Sequence, residues 1–230
     1  MDTHYTNTLY LVRHGENLAN LTKEFSYKLV DYSLTPKGIL QAQQTAKYFK
    51  NIHIDEFYSS PLKRAKETAA IIAQPHHLPV IVREEFREVN VGGLEGQPPT
   101  KENWILHNRI IDDWYKGDMT ATFPGGENLS MLIQRVRSGL FAITNNKIHK
   151  QIIIAGHGGI FTAAVRAICS NVDMATVLQS TIHNCSITKI ELITSDNDVK
   201  GTLHNWGSCN HLTGEAAQLV VGILQSETAD

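Results

Sequence analysis

The chain has 230 residues, of which 42% are hydrophobic and 19% charged, and its formal charge is −2 from 21 basic and 23 acidic side chains. That length and balance suit a globular protein with a sizeable core, and the near-neutral total excludes a global pull onto nucleic acid or an anionic membrane. The start is polar, no run approaches the roughly 18 apolar residues of a membrane span, and Cys169, Cys185 and Cys209 fit reduced thiols better than a disulfide framework, so a soluble cytoplasmic protein with no membrane or nucleic-acid partner is expected.

Leu9–Val12 reads as a short buried strand. Thr35-Pro36 is a helix start signal, an N-cap followed by proline at the first helical position, and Ile39, Ala42, Ala46 and Phe49 follow at helical spacing. Glu56–Ser59 is a second strand. Ser60-Pro61 repeats the start signal, and Leu62, Ala65, Ala69 and Ile72 mark the buried face of the next helix. Val80–Val82 is a third strand.

Residues 97–123 fit the alternation poorly, but Trp104, Ile110 and Trp114 fall at roughly helical intervals and predict a helical cap. Asn128 opens a helix with Leu129, Leu132, Val136, Leu140 and Ile143 along one side. Ile152–Ala155 is a fully apolar strand, Gly156–Gly159 turns into a helix, and Ser186–Ile193 is a late strand. Strands separated by helices predict a single α/β domain over residues 1–230, with a mainly parallel sheet, helices on both faces and 97–123 as a cap insertion.

Ligands of such sheets collect at the carboxyl ends of the strands. The successive strands are followed by Arg13-His14-Gly15-Glu16, by Ser60 and Arg64, by Arg87-Glu88, and by Gly156-His157-Gly158-Gly159. Arginine offers a planar fork of donors matched to phosphate oxygens, and helix N-termini after Ser60 and Gly158 would add backbone donors. A neutral histidine is a nucleophile. Arginine charge beside His14 disfavours its imidazolium, and Gly15 permits close backbone approach. Glu88, near a dianionic phosphate, is the candidate to protonate a leaving oxygen and later to activate water. Glu84, Glu85, Glu95 and Glu127 compete with it in sequence, and Glu127 also suits a helix N-terminus. Cationic side chains stabilise phosphoryl charge without a metal. His183, Cys185, His204, Cys209 and His211 match no zinc-ligand spacing, so neither metal nor cofactor is expected.

Leu11–Glu16 resembles the signature of the histidine phosphatase superfamily, the group that includes cofactor-dependent phosphoglycerate mutase. The similarity runs through Asn20, Leu34–Gly38 with Gln41-Ala42, Ser59–Ala65 with Glu67–Ala69, Arg87-Glu88 with Gly92, Glu95 and Gly96, Pro124–Glu127 and Gly156–Gly159, in the family's order. It implies that His14 is transiently phosphorylated, that Glu88 is the proton donor, and that Arg13, Arg64, His157 and Asn20 hold the phosphoryl oxygens. Residues 24–29 lack the glycine that many members carry there, which leaves open the shape of that loop and its contact with substrate. Only residues 97–124 lie between Gly96 and Gly125, whereas the mutase branch has a long insertion. With His157-Gly158-Gly159, this resembles the phosphatase branch.

The expected activity is metal-independent hydrolysis of a small-molecule phosphate ester. Mutase-type phosphoryl transfer and a non-catalytic phospho-ligand binding module are the alternatives. Trp104, Trp114, Tyr115 and Phe123 are candidates for an apolar wall, and the motifs do not separate sugar, nucleotide-like and aryl phosphates.

Overall fold

The first apolar run becomes strand β1, Tyr5–Arg13, and its alternating side chains divide the core in two. Leu9 and Leu11 join Val136, Leu140, Phe161 and Val165 on one side. Tyr10 and Val12 join Phe49, Phe57 and Ile72 on the other. Strand β4, Gln151–Gly156, behaves likewise, with Ile152 and Ile154 opposed to Ile153. Successive strand side chains point to opposite faces, so an unbroken apolar run marks a strand covered on both.

The computed structural model describes residues 4–172, 177, 182–195 and 198–219. It is a single α/β domain whose sheet runs β3-β2-β4-β1-β5-β6, with β2 at Glu56–Ser59, β3 at Val80–Val82, β5 at Ile187–Ser195 and β6 at Asp198–Ser208. Strands β1 to β4 are mutually parallel, and β5 is antiparallel to both β1 and β6. Helices α2 (Pro36–Phe49) and α3 (Lys63–Ala73) cover one face. Helices α5 (Leu129–Thr144) and α6 (Gly158–Ile168) cover the other. Helix α1 (Leu18–Thr22) is one short turn after β1, and α4 (Lys101–Lys116) lies within the predicted cap segment. None of the helices among the described residues is long and apolar enough to cross a membrane.

The start signals worked unequally. Thr35 caps α2, its hydroxyl accepting from Gly38 N at 3.1 Å, although Ile39 is exposed rather than buried. Ser60 does not cap α3. That helix begins at Lys63, and the carboxylate of Asp31 accepts from Lys63 N at 2.8 Å. Asn128 caps α5 as expected, and all five apolar residues read along its face are buried. Strand β6 escaped the sequence reading because it is a polar edge strand with Gly201 and Gly207 inside it, which blurs alternation.

Register brings the chemistry together. Arg13 lies opposite Gly156 and Ser59 opposite Ala155, so β1, β4 and β2 end level with one another. His14 N donates to Gly156 O at 2.9 Å, and Ser60 N to Ala155 O at 2.9 Å.

Candidate active site

Where the chain leaves β1, Gly15 passes against Gly38 at the start of α2. A Cβ on Gly15 would stand 2.5 Å from Gly38 O, and one on Gly38 only 2.1 Å from Glu16 O. The two glycines therefore serve close backbone approach, which holds His14 against the sheet edge. Thr68 of α3 takes the Gly15 N–H at 3.0 Å.

His14 is buried. Its Nδ1 lies 2.7 Å from Gly15 O, and its Nε2 is 3.2 Å from Arg64 Nε. A carbonyl only accepts and a guanidinium only donates, so this network assigns the proton to Nδ1 and the lone pair to Nε2. Burial, then Arg64 and Arg13, hold the imidazole well below its ordinary pKa. Arginine was the cause expected from sequence, but desolvation is the larger one.

Arg64 spends its guanidinium on three acceptors: His14, Ser26 Oγ at 2.8 Å and Ser26 O at 3.0 Å. Burial pulls it down to about 10, with Glu88 and Asp31 opposing, so it remains a cation at neutral pH. Arg13 donates to the carbonyl of Ile182, and its buried Nε has no partner among the described residues. His157 is fully buried, its ring centroid 5.2 Å from that of His14, and its Nε2 is 2.7 Å from Ser60 Oγ. Burial again is the main cause of its low pKa. Asn20 Oδ1 accepts from Asn17 N at 3.1 Å and Asn184 Nδ2 at 3.0 Å, and Asn184 also donates to His14 O.

Glu88 sits on the N-terminus of α6. Its carboxylate accepts from Ile160 N at 2.9 Å, Gly159 N at 3.2 Å and its own neighbour Val89 N at 2.9 Å. A Cβ on Gly159 would come within 2.9 Å of Glu88 Oε1, so glycine makes room for this docking. Both helix ends that the sequence offered to phosphate thus hold carboxylates: Asp31 on α3 and Glu88 on α6.

The competing glutamates are spoken for. Glu84 pairs with Arg87 and Glu85 with Arg83. Buried Glu127 pairs with Arg135 at 2.7 Å, and Arg135 also donates to the carbonyls of Glu85 and Arg87. That pair braces the backbone leading into Glu88. Glu95 Oε1 accepts from the N–H groups of Tyr27, Lys28, Leu29 and Val30, pinning the loop that lacks glycine.

Arg13, His14, Asn20, Arg64 and Glu88 line one cavity of roughly 440 Å³, and the ring of His157 adjoins that of His14. Glu24, Phe25 and Ser26 of the loop reach it, and α4 contributes Trp104, His107, Ile111, Trp114 and Tyr115. Trp104 stacks on Phe25 at 4.5 Å, and its indole N–H donates to Lys23 O at 3.2 Å. Phe123 is not part of the wall. It is fully buried behind it, 5.4 Å from both Trp114 and His107. Sequence reasoning missed Ser26 and Asn184, whose small polar side chains carry no signal of their own, and it read Ser60 as a helix start and not as the partner of His157. It also missed Arg135, eight residues along from its partner Glu127. No group of three or more His, Cys, Asp or Glu side chains that could hold a metal ion occurs among the described residues.

A family model, the histidine phosphatase superfamily (branch 1), matches residues 9–204. The chain is 32% identical over 206 residues to a Bacillus subtilis (strain 168) protein named uncharacterized phosphatase PhoE, covering 89% of this chain and 96% of that one. It is 30% identical over 187 residues to the putative phosphoserine phosphatase 2 of Hydrogenobacter thermophilus, covering 80% and 89%. The crystal structure of phosphoserine phosphatase from Entamoeba histolytica in complex with 3-phosphoglyceric acid superposes with a TM-score of 0.71 at 25% identity, over 90% of this chain and all of that one.

Proposed function

The chain belongs to the histidine phosphatase superfamily and is a phosphatase, and from that premise we propose that it hydrolyses small phosphomonoesters through a phosphohistidine formed on His14. The observation that carries this reading is the presentation of Nε2. The bond from Nδ1 to Gly15 O fixes the tautomer and the ring, and desolvation keeps the imidazole neutral.

The lone pair of Nε2 attacks phosphorus while the bond to the ester oxygen breaks. Arg13 and Arg64 neutralise charge on the phosphoryl oxygens, with His157 and the amide of Asn20 as further contacts. Glu88 gives a proton to the leaving oxygen. Its Oε2 holds the long 3.2 Å bond and is the oxygen with room for that proton. Water then attacks the phosphohistidine, Glu88 takes a proton from it, and inorganic phosphate leaves with His14 restored. No step needs a metal, because the two guanidinium groups supply the cationic charge.

Residues 97–123, with α4 at their centre, act as the cap, and the loop at 24–33 packs against that cap through Phe25 and Trp104 at the rim of the substrate site. The relatives named for phosphoserine support a small phosphorylated metabolite as substrate. The test is trapping. Brief incubation with a labelled phosphoester and a denaturing quench should leave acid-labile, alkali-stable phosphate on His14. The same label appearing in a His14→Ala variant would overturn the assignment. Assaying 3-phosphoglycerate with its bisphosphate separates hydrolysis from mutase transfer.

A further inference from the structure

Helix α6 shows one face to the cavity: Gly159, Thr162, Ala163 and Arg166 all line it, at the i, i+3, i+4, i+7 spacing of a helical stripe. The stripe starts where Glu88 meets the helix and ends, about 10 Å further along at 1.5 Å per residue, in a cation. Arg166 is half-buried and lies in the last turn, where a basic residue ordinarily complements the helix dipole. Here its position does more than that. Its Nη1 donates to Trp114 O at 2.8 Å, which aims the guanidinium across the cavity to α4. No carboxylate among the described residues forms a salt bridge with it. Next to Trp114 stands Tyr115, also a lining residue and electrostatically coupled to Arg166. The remaining wall between the two ends is largely apolar, from Trp104, Ile111 and Trp114.

We propose that Arg166 and Tyr115 form a second anion subsite, so that the preferred substrates are phosphoesters carrying another negative group, a carboxylate or a second phosphate, a few carbon atoms from the reacting phosphorus. This deepens the phosphatase reading and rests on it for the position of the phosphoryl group. Helical side chains lean toward the helix N-terminus, so the Arg166 guanidinium reaches back toward the reacting end, and the span suits a short metabolite rather than a polymer. Arginine pairs with a carboxylate or phosphate through two parallel N–H bonds, and only one side of this guanidinium is committed to Trp114.

The experiment compares matched esters: 3-phosphoglycerate and O-phosphoserine against glycerol 3-phosphate and phosphoethanolamine, with glycerol 1,3-bisphosphate, which has no carboxylate, as the arm that separates a second phosphate from a carboxylate. The native protein should show a higher kcat/KM for the esters with a second anion. In Arg166→Ala that ratio should fall about 10- to 100-fold, carried mainly by KM, with Arg166→Lys intermediate and Tyr115→Phe smaller. Calorimetric binding of the same esters to His14→Ala, with and without Arg166→Ala, reads the subsite without turnover. A failed phosphatase reading, in which no ester is hydrolysed, therefore still leaves the subsite decided. An unchanged ratio in Arg166→Ala, or no preference in the native protein, would overturn the proposal and leave Arg166 as a tie between α6 and α4.

Discussion

The two ends of the cavity are built on different principles. At the reacting end, His14, Arg64, His157 and Glu88 come from the segments that follow the carboxyl ends of four adjacent strands, and each is held by a bond to another part of the site. At the far end, the wall is one helix, α4, anchored through Trp104 on Phe25, Trp114 on Phe123 and the carbonyl that Arg166 holds. The first arrangement fixes atoms for chemistry. The second presents a surface whose residues can change without disturbing the strand ends, which is how one reaction serves different substrates.

Substitutions should break this contrast in a graded way. His14→Ala removes the proposed nucleophile, and steady-state phosphate release should fall by about 10⁴-fold or more. Activity within tenfold of native would refute the assignment. Glu88→Gln should lower kcat about 10²- to 10⁴-fold. The loss should be greatest for alkyl esters and least for p-nitrophenyl phosphate, whose leaving group needs no proton. An equal loss for both would make Glu88 only a cap on α6.

Acidification probes the reacting end without mutation. His14 and His157 are buried with pKa values pushed well below 6.5, and burial holds His211 down to about 4. Because the folded values are the lower ones, the unfolded chain binds more protons once pH drops under about 6.5. Stability is therefore full above that value and declines as pH falls, by about 1.4 kcal/mol per pH unit for each such group. Denaturant melts at pH 7.5, 6.0 and 5.0 should show the decline, and His14→Asn should make it shallower by about one group's share. A flat profile would contradict neutral burial.

Two smaller effects test the far end. Glu95→Gln weakens the acceptor for four N–H groups of the loop and should cost about 1–3 kcal/mol, with a raised KM. Trp104→Phe removes the bond to Lys23 O while keeping the stack on Phe25. It should raise KM a few-fold and leave kcat within about twofold, and a kcat collapse would mean that α4 also positions the reacting groups.

Much of the fold was legible in the chain. Short apolar runs rich in β-branched residues such as Ile152–Ala155 read as doubly covered strands, and Thr35 and Asn128 start helices because their side chains satisfy free N–H groups locally. The gathering of the candidate residues was legible too, since each follows a strand and so lies at one sheet edge, and the order of motifs named the family. Long-range pairings were not legible. Asp31 displaced Ser60 as the cap of α3, Glu88 took the N-terminus of α6, and Glu127 found Arg135 rather than its helix dipole. Each of these polar choices depends on which partner is nearest in space, and that is settled only when distant segments pack.

Sequence alone therefore determined the doubly covered sheet, the family and the residues gathered around His14, because periodicity and strand ends are local properties. Only the tertiary structure decided the tautomer of that histidine, the burial that keeps it neutral and the wall from Trp104 to Arg166. Desolvation and hydrogen-bond direction are properties of the packed assembly, not of any stretch of chain.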